Sequence, residues 1–179
     1  MLDSPLLMAR FSHWANDRLL AAAATLSPEQ LAQDRGAFFG SILGTLNHIL
    51  LVNILYRERV EQGGRSHFTR LDEILHRDLA ALTRAQRNED SWVERHLASA
   101  SEEALDTETV GFYTLLEEPE YWEVSQRLYY SNLFQHQVHH HVKHGCMPYA
   151  SIAARVHRSV EYCRRVCSSY MEQQNTTTS

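Results

Sequence analysis

The sequence predicts an all-α protein: a four-helix bundle with a crossover segment and an appended C-terminal helix. Three observations carry that expectation. The chain of 179 residues holds only 7 Gly and 4 Pro, few helix breakers for its length. Apolar residues recur at three- and four-residue steps along four long stretches, the spacing that lines one face of a helix. Helix-start residues stand ahead of these stretches. With 44% hydrophobic and 22% charged residues, the composition is that of one soluble globular domain. A chain of this size buries roughly 70% of its unfolded surface, enough for a core without disulfide staples.

Ser4 and Pro5 read as N-cap and first helical position, and Met8, Phe11, Ala15, Leu19, Ala22 and Leu26 carry the stripe of a helix from about Pro5 to Thr25. Ser27-Pro28-Glu29-Gln30 is a capping box that opens a short helix, followed by a loop through Gly36 and Gly40. Ser41 caps a second long helix, in which Ile42, Leu43, Leu46, Ile49, Leu50, Leu51, Val52, Ile54 and Leu55 leave almost no polar side before Gly63-Gly64. A helix apolar all round belongs at the centre of a bundle. A third helix is expected from Thr69 to about Leu97, with Leu71, Leu75, Leu79 and Leu82 inward and Arg77, Asp78, Arg84, Arg87, Glu89 and Asp90 facing water.

From Ser99 to Pro119 the helical signal is weakest, and the β-prone stretch from Thr107 to Tyr113 suggests a crossover loop with extended character. Trp122, Tyr129, Leu133, His136 and His140 then line one side of a fourth long helix that Gly145 terminates. Beyond Pro148, Ile152, Val156, Val160, Cys163, Cys167 and Tyr170 form a fifth helical stripe, with Arg155, Arg158, Arg164 and Arg165 opposite. The expected division is a bundle domain over 1–145 and an extension over 146–179.

Net charge is -5 with His neutral, the wrong sign for holding a phosphate backbone, so no nucleic acid is expected as a partner. The 3 cysteines, Cys146, Cys163 and Cys167, contain no CxxC pair and make no disulfide framework. A reducing, cytoplasmic setting fits them best. Asp3 stands where a signal peptide wants basic charge, and the first apolar run stops at Arg10. The longest nearly apolar run, Ile42 to Leu55, includes Asn47, His48 and Asn53 and falls short of the roughly 20 residues that span a bilayer. No membrane is expected either.

The chain has 11 histidines, and His136, His139, His140, His141 and His144 crowd into one short stretch. Residues four apart on a helix project the same way, so His136 and His140 can reach one metal ion. His140 with His144 has the same spacing. The first pair is preferred because Tyr129 and Leu133 extend its face back into the bundle, whereas His144 abuts Gly145. His139 and His141 are expected to point sideways or outward. A third ligand must come from another element, and His48 is the candidate, on a segment too apolar for exposure. Taken alone, His48 reads as a core histidine bonded to a neighbouring helix, and the cluster as a solvated helix end.

Other constellations fall away on chemistry. No glutamate follows His136 as it does in His-Glu-x-x-His proteases. Di-iron bundles need two Glu-x-x-His motifs, and Glu73-Ile74-Leu75-His76 lies on a strongly charged face with no second copy. Cys163 and Cys167 share a helix face, where parallel Cβ directions disfavour a disulfide. Tyr129, close to the ligand face, is a weak candidate base better explained by packing.

Four stretches resemble the DinB-like (DinB/YfiT-like) metal-binding bundles: Trp14-Ala15-Asn16 with Arg18-Leu19-Leu20; Gly36-Ala37-Phe38-Phe39-Gly40-Ser41-Ile42 leading to Leu46-Asn47-His48; Leu71-Asp72-Glu73-Ile74-Leu75-His76; and Phe134-Gln135-His136-Gln137-Val138-His139-His140. The resemblance spans roughly residues 4 to 141. It implies an up-down-down-up course and a triad of His48, His136 and His140 around a divalent ion, zinc or nickel. Two positions depart from the family pattern. Asn53 stands where relatives usually carry an acid, and His139-His140-His141-Val142-Lys143 replaces His-His-Arg-Gly-Gln.

The resemblance further implies a metal-dependent enzyme acting on a small molecule, most plausibly an S-transferase that uses a low-molecular-weight thiol, or a hydrolase. The alternative is a non-catalytic metal-binding bundle for storage, sensing or interaction. Surface scavenging of several loosely held ions is a third reading. A homodimer is expected from the resemblance and from the apolar face of the first helix.

Overall fold

The computed structural model describes residues 4–143. The chain opens with α1 (Pro5–Ala23) and α2 (Pro28–Ala32). The capping box forms as read: Gln30 N donates to Ser27 Oγ at 3.3 Å, and Ser27 N donates to Gln30 Oε1 at 2.8 Å. Helix α3 (Ile42–Glu61) starts at Ser41, whose Oγ accepts from Gly44 N at 3.0 Å. There follow α4 (Leu79–Ser99), α5 (Glu102–Thr107), the strands β1 (Thr109–Tyr113) and β2 (Tyr121–Ser125), and α6 (Gln126–Lys143).

Each of α1 and α3 packs against both α4 and α6, so the four long helices close into a ring. Leu50 and Leu51 of α3 are fully buried, as a helix without a polar side requires. At one end of the core Leu19, Leu20, Leu43, Leu46, Ile49 and Leu82 pack together. Elsewhere Val52, Val93, Leu97 and Leu105 pack around Tyr129, Tyr130 and Leu133. The apolar face of α1 that prompts the dimer expectation is covered within the chain, with Phe11, Ala15, Leu19 and Leu20 all buried.

The third long helix begins ten residues later than expected, at Leu79 in place of Thr69. Two neighbours on α3 claim the backbone of the preceding segment. Asn47 clamps His76 by donating to its carbonyl at 2.9 Å and accepting from its N–H at 2.8 Å, while the His48 ring reaches the Leu71 carbonyl. Asp78 then caps α4, accepting from Ala81 N at 2.7 Å. Leu71 is consequently exposed. Asp90, expected to face water, is buried, because it shares the Leu82, Gln86, Val93 and Leu97 face at three- and four-residue steps.

The crossover is more ordered than a loop: the fold is mostly helical, consistent with the all-α expectation, and carries one small two-stranded sheet there. Ser101 caps α5, and β1 pairs antiparallel with β2, Gly111 opposite Glu123. Trp122, read as part of the fourth helix, lies on β2 and is exposed. Trp122 and Val124 alternate with the polar Glu123 and Ser125, a period of two that suits a strand. The hairpin docks through Gly64, whose φ of 87° and contact with Gly111 O leave no room for a Cβ, and through Tyr113 N, which donates to Gly64 O at 3.0 Å. No helix among the described residues is long and apolar enough to cross a membrane. The expectations for His144, Gly145, the cysteines and the helix beyond Pro148 lie outside the described residues.

Candidate metal centre

His48 projects from the middle of α3, and His136 and His140 from consecutive turns of α6. All three are buried, and their donor nitrogens lie within 4.8 Å of one another. His48 Nε2 is 2.9 Å from His136 Nε2, and His140 Nε2 is 3.1 Å from the same atom. The three rings expected from the spacing and the resemblance thus converge in space, while the competing pair of His140 with His144 includes a residue outside the described ones.

The tautomer of His48 follows from its other nitrogen. Leu71 O can only accept, so the 2.8 Å contact places the proton on Nδ1 and leaves the Nε2 lone pair aimed at His136. Burial keeps the ring neutral, bringing its pKa down to about 4. Burial likewise holds His136 well below the ordinary imidazole range. A ring nitrogen offers one in-plane direction for a single proton or lone pair, so His136 Nε2 cannot hydrogen-bond both neighbours at once. One cation between the rings can meet all three. Tetrahedral zinc–nitrogen bonds of about 2.0–2.1 Å separate ligand nitrogens by about 3.3 Å, within a few tenths of the two contacts here. The donor set therefore fits a divalent ion.

The loop before α3 roofs the site. Phe39 stacks on His48 with ring centroids 3.9 Å apart and lies 6.0 Å from His140. Gly44 makes this possible: a Cβ there would run into the Phe39 carbonyl. Phe38, packed edge-on against Phe39, is 82% exposed and marks the solvent side. Sequence reasoning quoted both phenylalanines without giving them a role; the Gly-x-x-x-Gly loop and Gly44 were the available signal.

The other histidines of α6 correct the expectation. His139 and His141 are buried and not outward-facing. His139 lies edge-on to His140 at 5.1 Å. His141 is fully enclosed, its Nε2 donating to Asn16 Oδ1 at 2.8 Å and its ring edge-on to Phe11, with burial lowering its pKa to about 3. Helix α1, one residue's rotation away from the triad, covers that side. Tyr129 is no base at the site: its hydroxyl donates to Tyr56 O at 3.0 Å, and burial raises its pKa far above the ordinary range.

Next to the triad lies a buried polar network that the sequence reading missed. Asp90 accepts from Asn16 Nδ2 at 3.0 Å, Gln86 Nε2 at 3.0 Å and Asn53 Nδ2 at 3.1 Å. Burial pushes Asp90 up to about 7. Asn53, where the resemblance calls for an acid, bridges Asp90 to Gln137, whose Nε2 donates to Asn53 Oδ1 at 2.8 Å. Asn16 and Asn53 at helical core positions were the readable signal, since buried amides need partners.

No curated protein matches the chain closely enough to count as a relative. The model of the DinB family matches residues 1–146, well over half of the sequence and all of the helical ring, and with the elements that carry the histidines inside that match the chain belongs to the DinB family.

Proposed function

We propose that His48, His136 and His140 hold one divalent ion, zinc or nickel, and that the chain is a metal-dependent enzyme acting on a small molecule, transferring a low-molecular-weight thiol to an electrophile. The observation that supports this most is the convergence of three buried imidazole nitrogens from two helices. Bound there, such an ion supplies positive charge that ionises a thiol or a water near neutral pH. The chain's own residues supply the setting. The Leu71 carbonyl orients the His48 ring, a contact of the kind that fixes ligand direction and basicity. Phe39 keeps water from one side of the rings, and Phe38 offers an apolar surface at the solvent side. The reading includes the family's up-down-down-up course and a homodimer, the latter checked by light scattering against the 20.7 kDa monomer mass.

The test is metal content and turnover of the purified full chain. One zinc or nickel per chain is expected, with consumption of thiol and electrophile that vanishes in His48→Ala. Stoichiometric metal without turnover would favour the storage or sensing alternative. Several weakly held ions, undiminished in His48→Ala, would sink the triad.

A further inference from the structure

Helix α6 carries a second pair of polar side chains spaced four residues apart, Gln137 and His141, one residue out of step with the ligand pair. Both are fully buried, and each is gripped by an amide oxygen from a different helix: Gln137 by Asn53 of α3, His141 by Asn16 of α1. An amide side chain offers an oxygen on one side and a nitrogen on the other, so which end faces α6 depends on what holds the far end. Here that is Asp90 of α4. Its carboxyl oxygens accept from the Nδ2 groups of both Asn16 and Asn53, which turns both amide oxygens towards α6. Gln86, one turn earlier on α4, donates to the same carboxylate and steadies it.

We propose that Asp90 is a positioning residue: through Asn16 and Asn53 it fixes the rotation of α6 about its own axis, and so aims His136 and His140 at His48. Successive residues on a helix are about 100° apart, so gripping the 137/141 face leaves the 136/140 face one direction only. The network draws on all four helices of the ring. It contributes no atom to the triad and acts only by orienting its neighbours. The consequence for metal binding rests on the triad reading above; the orientation of α6 does not.

Two measurements on the full chain test this. In the metal-free protein, long-range proton–nitrogen spectra of the imidazoles should show the His141 proton on Nε2. Asp90→Asn replaces one acceptor oxygen with an NH2 group that opposes the amide donors, and should convert His141 to mixed tautomers. Cobalt(II) affinity, read from its visible absorption, should fall at least about tenfold in Asp90→Asn, the lower end of what losing an indirect support costs. Asn53→Leu, which removes only the bridge to Gln137, carries the same cobalt expectation should Asp90→Asn not fold. Leu97→Ala, a cavity on α4 away from the amides, should lower the melting temperature yet keep affinity within about twofold. Parental His141 signals together with parental affinity in Asp90→Asn overturn the proposal, and so does an equal affinity loss in Leu97→Ala. If the parent takes up no cobalt while His141 still responds to Asp90→Asn, the triad reading falls and the positioning role stands.

Discussion

Two faces of α6 carry the same kind of residue for opposite purposes. His140 turns its Nε2 towards two other imidazoles, 3.1 Å from that of His136, whereas His141, the next residue, turns its Nε2 to a single amide oxygen 2.8 Å away. Both are buried to nearly the same degree. What separates them is what the neighbouring helix offers: α3 brings a third ring nitrogen with its lone pair exposed, and α1 brings an asparagine whose orientation is already settled by Asp90. A histidine's role on this helix is thus decided across the interface and not along the chain.

The largest effect should come from breaking one face and sparing the other. His136→Ala is expected to abolish stoichiometric metal, measured by elemental analysis, since two remaining ligands no longer enclose the ion. His141→Ala should keep the ion at stoichiometric loading but lose on the order of 2–4 kcal/mol of stability in urea, from the cavity and from the unsatisfied Asn16 oxygen. Metal loss from His141→Ala equal to that from His136→Ala would erase the distinction between the faces. Gly44→Ala comes next. The added Cβ meets the Phe39 carbonyl, so the roof over His48 must shift, at roughly 1–3 kcal/mol against the small gain in helix propensity. Thermal unfolding reads the loss, and an unchanged melting temperature would mean the roof can move freely.

A pH profile sharpens the network side. Asp90 has an ordinary value of 3.8 and is pushed up to about 7 by burial, with His13 and Asp17 of α1 pulling it down and up respectively. Between those values the folded chain holds a proton that the unfolded chain has released, so the contribution of Asp90 to stability falls as pH rises from about 4 to about 7 and is level above. Buried neutral histidines such as His141 act with the opposite sign, but they are common to parent and Asp90→Asn. The stability of the parent minus that of Asp90→Asn, from urea midpoints in metal-free protein, should therefore decline across this window by on the order of a few kcal/mol. A flat difference would show that Asp90 titrates normally. The smallest effect belongs to Ser27→Ala, which removes one side of an exposed capping box and should cost about 0.5–1 kcal/mol with metal binding untouched.

The contrast between α3 and α4 shows how far the residues alone could be read. Helix α3 was legible from cap to end, because nearly every side of it is apolar and no partner is needed to know that it is central. Helix α4 was read ten residues too long, since Leu71 and Leu75 continue the spacing of Leu79 and Leu82. Local periodicity cannot register that Asn47 and His48 hold the backbone of the preceding segment in a non-helical path. Asp90 was misplaced for a related reason. A carboxylate within a run of charges looks solvated until its inward register is weighed against three amides arriving from other turns and helices.

By itself the sequence determined the four long helices, the capping box at Ser27, the centrality of α3 and the alignment of His136 with His140 on one face, all of which depend on spacing within one element. Only the tertiary structure decided that His48 meets that pair with its lone pair forward, that Phe39 covers them, and that His141 belongs to Asn16. Those facts join residues far apart in the chain, and their energies depend on distance and direction in space, which periodicity along one helix does not encode.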